Sequence, residues 1–398
     1  MSSVISAGPL AQSPLSAPDG PLSEVAATPA PTTPAAVCAA FEALRQAGLR
    51  ARDAAERLGL SEGAVLAAHA LAGAEGAVAE PPASRLGVLP LNGHWVDLLK
   101  ALEPCGPLMA LTRNHSVVHE KTGVYRRVSA QGEVGLVLDR DIDLRLFLAQ
   151  WHAGFAVRER PLREGQFEAL SLQFFDAWGH AVHKVFVREA TDRLALEAVM
   201  ARFAAPEARP QFAPGRAPRP VPRPDAECHA DALCADWAAL RDTHDFFALL
   251  KRHGLDRRQS FRLAEGRFTT RLPSDAIARL LHLAAASGLG LMVFVGNAGC
   301  IQIHSGPVQR VVPLQTDSGQ WLNVMDPGFN LHLRADLLDQ VWAVDKPSDD
   351  GVVSSVEAFD ADGELMLMVF GERQPGQAQD PAWHELVHSL RPGAQEAA

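Results

Sequence analysis

The sequence of 398 residues lacks the features that mark secreted and membrane proteins. Its five cysteines are scattered and odd in number, so a disulfide framework is not expected. No run approaches the roughly 18 to 20 apolar residues that a membrane helix needs. The amino terminus also lacks the basic and apolar regions of a signal peptide. These absences predict a soluble protein that stays in the cytoplasm, with no membrane insertion.

Positive charge is scarce as well, because 37 lysines and arginines face 47 acidic residues and the formal net charge is -10. Broad nucleic-acid binding usually needs a basic footprint, so a small ligand or a protein is the expected partner. A helix-turn-helix pattern around residues 51–66 leaves a DNA-binding regulator as a minor alternative. The following segment, residues 63–73, offers few side chains that read bases.

The chain does contain an internal repeat. Ser171–Phe186 and Ser355–Phe370 share the pattern Phe-Asp-Ala-x-Gly between alternating apolar runs, which is typical of a hairpin turn. Three more pairs of blocks match in the same order: Gly106–Leu111 with Gly288–Val293, Val118–Gly123 with Ile303–Gly306, and Asp141–Leu146 with Gly328–Leu333. A repeat of roughly a hundred residues has the size of a domain. The repeat therefore predicts two homologous lobes.

Composition divides the chain into four parts. An Ala/Pro/Ser-rich tail (1–34) is predicted to be disordered, and a Pro/Arg-rich linker (205–226) separates an amino-terminal lobe (35–204) from a carboxy-terminal lobe (227–392). In each lobe helices are followed by strands, which predicts an α+β fold. The predicted helices are residues 36–46 and 51–58. The predicted strands include Leu108–Thr112, Ser116–His119, Val124–Val128, Phe167–Phe175, Leu291–Val295, Cys300–His304 and Val352–Phe359.

The strongest chemical signal lies in Ala235–His253, whose amphipathic pattern predicts one helix with His244 in line with the apolar stripe. One interpretation is a core histidine bonded to a backbone carbonyl. The other is an axial ligand of a haem iron, since a partly buried, neutral imidazole among aromatic residues suits that role. Four cations follow and would suit the propionates, although they are also ordinary helix-dipole partners: Lys251, Arg252, Arg257 and Arg258.

Four long blocks resemble the HemS/HmuS/ChuS family of cytoplasmic haem-utilisation proteins: Asp139–Trp151, Asp242–His253, Val293–Ile303 and Trp321–Leu333. The likeness covers about residues 36 to 392. It implies a tandem repeat of two similar lobes, each with a large antiparallel sheet packed with helices. It also implies haem b (iron protoporphyrin IX) as the ligand, and it favours the iron-ligand interpretation of His244.

The resemblance implies roles for further residues. His244 matches the proximal iron ligand, and Arg145 matches a distal arginine that faces the iron through water and would serve catalysis. Arg145 in a surface ion pair is the alternative. Phe147 would line the pocket.

Around the propionates, the resemblance places Arg257 and Lys346, with Arg373 among the pocket residues. Met368 and Phe370 stand where some family members have Gln and Tyr, so hydrogen-bonding groups near the pocket are lost. Two histidines match secondary haem contacts, and a structural role is the alternative for both: His119 and His332.

Two activities of different class are credited to the family, namely haem carriage and oxidative opening of the porphyrin. The sequence has no Rossmann fingerprint, P-loop or flavin motif, so the second activity needs an external electron donor. The expected partners are haem, a haem importer, and a haem oxygenase or a reductase. Arg145 belongs to the first repeat, and His332 takes its place in the second, so we expect one asymmetric pocket between two similar scaffolds.

Overall fold

The computed structural model describes residues 31–74, 85–161, 168–219, 221–374 and 376–393. The predicted tail (1–34) therefore lies almost wholly outside the described residues. The first half begins with three helices, α1 (Pro34–Gln46), α2 (Ala51–Arg57) and α3 (Glu62–Ala74). The elements that follow are β1 (Leu86–Pro90), α4 (Trp95–Lys100), β2 (Leu108–Arg113), β3 (Val117–Gly123), β4 (Val128–Gln131), β5 (Val134–Leu138), β6 (Asp143–Phe147), β7 (Ala153–Glu159), β8 (Ala169–Phe175), β9 (Ala181–Val187) and α5 (Arg193–Arg202).

The second half repeats these elements in the same order. Its elements are α6 (Ala230–Ala238), α7 (Phe246–His253), α8 (Arg257–Leu263), β10 (Thr269–Leu272), α9 (Ala276–Ser287), β11 (Gly290–Gly296), β12 (Cys300–Pro307), β13 (Val311–Thr316), β14 (Gly319–Asp326), β15 (Phe329–Arg334), β16 (Leu338–Ser348), β17 (Gly351–Asp360), β18 (Leu365–Gly371) and α10 (Pro381–Ser389). The predicted tandem α+β repeat is confirmed.

The strands form two nine-stranded antiparallel sheets that exchange strands between the repeats. The first sheet has the order β1-β7-β8-β9-β2-β3-β15-β14-β13, and the second has the order β10-β16-β17-β18-β11-β12-β6-β5-β4. Each sheet thus takes three strands from the other half of the chain. The lobe boundaries at 35–204 and 227–392 stay a prediction, and the exchange ties the two lobes together.

Both hairpins of the repeated Phe-Asp-Ala-x-Gly pattern form the same turn. Asp176 Oδ1 accepts hydrogen bonds from the backbone N–H groups of Trp178 and His180, and Asp360 Oδ1 accepts one from the N–H of Glu364. The glycine of each turn has a positive φ, which a side chain would disfavour. Asp and Gly therefore specify this turn locally in both copies.

Two asparagines join the repeats at the β2–β3 and β11–β12 turns. Asn114 Nδ2 donates to the carbonyl of Met366 at 2.8 Å, and Asn297 Nδ2 donates to the carbonyl of Val182 at 2.9 Å. Because these asparagines occupy equivalent turns, His119 corresponds to Gln302. The predicted match of Val118–Gly123 with Ile303–Gly306 is therefore in register at Gly123 and Gly306, but Val118 corresponds to Ile301 and not to Ile303.

One predicted strand, Val124–Val128, is wrong. The chain leaves β3 at Gly123, and Arg127 has a φ of 50°, which interrupts an extended strand. Tyr125 is instead fully buried, and its hydroxyl lies 2.8 Å from His183 Nε2. The alternation of apolar residues in this segment did not indicate that Tyr125 would be held by His183, 58 residues away.

Each sheet has one face that packs on an apolar core. In the second sheet, Val293 and Val356 belong to a buried cluster with Ile277 of α9 and Trp383 of α10. The linker is partly anchored, since Phe212 packs against Phe155 and Phe175 of the first sheet. None of the described helices combines the length and the apolar character needed to cross a bilayer.

Candidate binding site

The second sheet brings most of the predicted site residues onto one face. Successive side chains of a strand alternate between faces, and the register aligns Glu357 with Met368 and with Phe294 across β17, β18 and β11. By the same alternation, the face carries residues of β16, β18 and β6: Lys346, Met368, Phe370, Arg145 and Phe147. Met292, Phe294 and Ile301 are half-buried there, whereas the opposite face of the same strands is buried. The face is thus an open apolar surface.

Arg145 reaches this surface only because β6 is one of the exchanged strands. It pairs with Ile301 of β12, and its guanidinium forms an ion pair with Asp143 of its own strand. The alternative of an ion pair is therefore realised in the structure. Arg145 is about one-third exposed, so its side chain is still accessible from the open face.

At the other end of the face, a buried carboxylate holds two cations. Glu357 Oε2 accepts a hydrogen bond from Arg257 Nη1 at 2.7 Å, and its Oε1 accepts one from Lys346 Nζ at 2.9 Å. Ser355 Oγ donates a third at 3.0 Å. Burial acts to raise the pKa of Glu357, but Arg257 and Lys346 lower this pKa to about 2. Burial lowers the pKa of Lys346, and Glu357 opposes that shift.

Two phenylalanines pack against the same cations. Lys346 Nζ lies 4.8 Å from the ring centre of Phe246 and 5.7 Å from that of Phe370. The guanidinium of Arg257 lies 5.2 Å from the ring of Phe246. A cation over an aromatic face is stabilised by the ring quadrupole. The aromatic walls and Glu357 together keep both cations at this end of the open face.

The predicted single helix around His244 is wrong. α6 ends at Ala238, a 3-10 turn spans Thr243–Asp245, and α7 begins at Phe246. Asp242 breaks the helix, because its carboxylate accepts the backbone N–H of His244 and so caps the turn. His244 is consequently not in an apolar stripe: its side chain is 88% exposed.

The Asp242 carboxylate also holds the ring of His244. The distance from Asp242 Oδ1 to His244 Nδ1 is 2.7 Å, and the two hydrogen bonds from His244 lower the pKa of Asp242. A carboxylate at Nδ1 favours the tautomer that carries its proton there. Within the described part of the chain, His244 Nε2 has no hydrogen-bonding partner, so its lone pair is free for a ligand.

Most of the other predicted cations do not reach the open face. Of the four that follow His244, Arg257 reaches the open face. Arg252 pairs with Asp236, the guanidinium of Arg258 lies against Gly363, and Lys251 is exposed. Arg373 donates to the carbonyl of Gln377 at 3.2 Å and interacts electrostatically with Asp242, which places it on the His244 side.

His119 and His332 lie elsewhere, on the first sheet. Their strand registers put them on opposite faces of that sheet, and both are buried. His332 Nδ1 lies 2.7 Å from Asn323 Oδ1, whereas the ring of His119 packs against Phe329. Neither belongs to the open face of the second sheet.

Sequence reasoning missed several residues of the site. Glu357 and Ser355 stand in the repeated hairpin, where strict alternation puts them on the face of Phe359. Asp242 was missed although an aspartate whose carboxylate can accept a backbone N–H two residues later is a recognisable capping signal. Phe246 was not predicted to touch the cations: Arg257 reaches it from the next helix, α8, and Lys346 reaches it from β16, a hundred residues away.

The fold and the site define a class: tandem antiparallel-sheet proteins with exchanged strands and one open apolar face that carries cations at one end. The family model described as "Haemin-degrading HemS.ChuX domain" matches residues 75–203 and 254–390. The chain is 37% identical over 347 residues to the hemin transport protein HmuS of Yersinia pestis, covering 86% of this chain and 93% of the relative. It belongs to the HemS/HmuS/ChuS family.

Solved structures agree with this assignment. Holo-PhuS, a heme-binding protein from Pseudomonas aeruginosa, is 45% identical with a TM-score of 0.82, over 90% of this chain and 99% of that protein. ChuS, an Escherichia coli heme oxygenase, is 33% identical with a TM-score of 0.77, over 89% and 99% of the two chains. The predicted two-lobe fold and the family are confirmed.

Proposed function

We propose that this protein binds haem b on the open face of the second sheet and carries imported haem in the cytoplasm. Its relatives are named as hemin transport and heme-binding proteins. The observation that carries the proposal is the single surface that joins half-buried aromatic and aliphatic side chains to a cationic end. A porphyrin needs such an apolar wall on one side and cations for its propionates.

The residues present fit this ligand. His244 is the proposed iron ligand, because its Nε2 is unoccupied and its Nδ1 is held by Asp242. A histidine that binds a metal through one ring nitrogen commonly donates the N–H of the other to a carboxylate. Arg257 and Lys346 are the proposed propionate partners, and Arg145, Phe147, Met368 and Phe370 line the face. Because His244 is exposed on a short turn, we expect this turn to close towards the sheet on binding.

Titration of the purified protein with hemin tests the proposal. We expect a Soret band that saturates at one hemin per chain. His244→Ala should shift the band and weaken binding by about a hundredfold, because the iron loses its axial ligand. His253→Ala is the matched control, since His253 lies on the same segment but pairs with Asp236. An identical spectrum for His244→Ala and the unchanged protein would refute the ligand assignment.

Oxidative opening of the porphyrin, with release of iron, is the second candidate activity. It is favoured by the similarity to ChuS, a heme oxygenase, and by the position of Arg145 on the same face. Arg145 would donate hydrogen bonds above the porphyrin, and a reductase or small reductant would supply electrons. The test is a reductant added to the hemin complex under oxygen with catalase present. Loss of the Soret band with a bile pigment and free iron supports the enzyme, and a persistent band supports the carrier alone.

A further inference from the structure

Glu357 already neutralises part of the charge that the proposed site offers to propionates. Lys346 and Arg257 each carry one positive charge and Glu357 carries one negative charge, so the three together carry a net charge of one. Glu357 is fully buried and Lys346 is 3% exposed, so these charges interact with little screening from water. The cluster therefore offers one positive charge to a ligand, not two.

The cations nevertheless keep hydrogen-bond donors to spare. An ammonium has three N–H donors and a guanidinium has five. Among the described residues, Lys346 donates only to Glu357, and Arg257 donates only to Glu357 and weakly to Met368 Sδ at 3.5 Å. The spare donors are thus suited to a second carboxylate beside that of Glu357.

We propose that Glu357 is an internal competitor for the propionate: it limits the cluster to one propionate and takes back Lys346 and Arg257 when haem leaves. This inference rests on the proposed haem function. Two carboxylates that share the same donors each weaken the binding of the other, and this coupling is reciprocal. A carrier must release its cargo, and a built-in counter-anion makes release easier.

The same ion pair has a purely structural interpretation. Arg257 begins α8 and Glu357 lies on β17, so their contact also fastens the helix to the sheet. The first sheet supplies a matched control. Glu62 begins α3, the counterpart of α8, and binds Lys184 of β9 at 2.7 Å and Arg113 of β2. Glu62→Gln removes a carboxylate that also holds two cations, but on the first sheet and not on the open face.

The experiment compares hemin with its dimethyl ester, whose propionates carry no charge. Glu357→Gln should bind hemin about tenfold more tightly and pass it to apomyoglobin about tenfold more slowly, because the competing charge is gone and the side-chain shape is kept. Its affinity for the dimethyl ester should not change. Glu62→Gln should bind both porphyrins as the unchanged protein does.

Two outcomes would overturn the inference while leaving haem binding intact. If the hemin affinity of Glu357→Gln stays equal or falls, the ion pair has only the structural role of fastening α8 to the sheet. An equal gain in affinity for both porphyrins would show that charge is not responsible.

If Glu357→Gln does not fold, the double variant Glu357→Gln/Lys346→Gln replaces it, because it keeps the net charge of the cluster at one. Hemin affinity within about threefold of the unchanged protein is expected for the double variant, and a loss of about tenfold contradicts the inference. Failure of the unchanged protein to bind hemin would instead refute the proposed function.

Discussion

The two sheets carry equivalent faces, and the first is covered where the second is open. On the first sheet, Met109 is 1% exposed and Leu111 is 8% exposed. Their counterparts on the second sheet, Met292 and Phe294, are only half-buried. Duplication therefore produced two similar scaffolds, and the covering helices made them different.

Helix length explains much of the difference. α3 has 13 residues and its counterpart α8 has seven, so α3 is about 9 Å longer at 1.5 Å per residue. The longer helix packs Leu66 and Ala67 against Phe155 and Phe175. A cavity of about 30 Å³ remains there, too small for a porphyrin. The shorter helix leaves the middle of the second sheet uncovered.

The ion clusters beneath the helices are reversed in polarity. On the first sheet the helix supplies the acid, Glu62, and the strands supply the bases. On the second sheet a strand supplies the acid, Glu357, and α8 supplies Arg257. Burial acts to raise the pKa of both glutamates, but the neighbouring cations lower each pKa to about 2. A substitution on the first sheet can therefore serve as the control for the equivalent substitution on the second sheet.

Removal of the buried lysine on each sheet should have the largest effect. Lys184→Met and Lys346→Met each leave a buried glutamate short of one cation, so each should lower the free energy of unfolding by about 3 kcal/mol. Only Lys346→Met should also weaken hemin binding. Urea unfolding and Soret titration measure the two effects. An equal loss of hemin affinity in Lys184→Met would contradict the difference between the faces.

Truncation of an apolar side chain on each face should separate stability from binding. Leu111→Ala should lower the free energy of unfolding by about 2 to 3 kcal/mol, because it leaves a cavity in a packed region. Phe294→Ala should lower this free energy less and should weaken hemin binding by about tenfold, because its ring is part of the open surface. The idea fails if Phe294→Ala binds hemin normally.

Acid should weaken both ion clusters. The folded-state pKa of Glu62 is about 2, below the ordinary value of 4.5, so its stabilising contribution is complete above about pH 4.5 and is lost as the pH falls towards 2. The same holds for Glu357. In Glu62→Gln, the decline of unfolding free energy between pH 4.5 and 2.5 should therefore be shallower than in the unchanged protein. Parallel pH profiles would argue against this assignment.

The smallest expected effect concerns the carboxylate that holds His244. On the first sheet, the position two residues before α2 is Leu49, whereas His244 occupies that position before α7. Asp242→Asn should weaken hemin binding by about tenfold and shift the reduction potential of the complex, because the imidazole becomes a poorer donor. Asp236→Asn, which alters the carboxylate beside His253, should leave both quantities unchanged. A shift of equal size in the two variants would contradict the role of Asp242.

Local features were the ones that sequence reasoning predicted well. The hairpin turns at Asp176 and Asp360 follow from residues within a few positions of each other, and so does the order of helices and strands in each repeat. His244 was misplaced because a helical spacing of apolar residues does not reveal that Asp242 ends the helix. The hydrogen bonds of a capping side chain compete with those of a continuous helix, and here the Asp242 carboxylate ends the helix that the spacing predicted.

The sequence by itself determined that the chain is a duplicated α+β protein, since turn chemistry and alternation act over short distances, and it predicted a candidate site with residues from both repeats. Only the tertiary structure decided which strands pair. Alternation tells which side chains share a face, but it does not name the neighbouring strand, so the exchange that carries Arg145 onto the second sheet was not predictable. The Arg257–Glu357 contact likewise joins positions 100 residues apart, and its charges pair because a fully buried carboxylate needs a cation beside it.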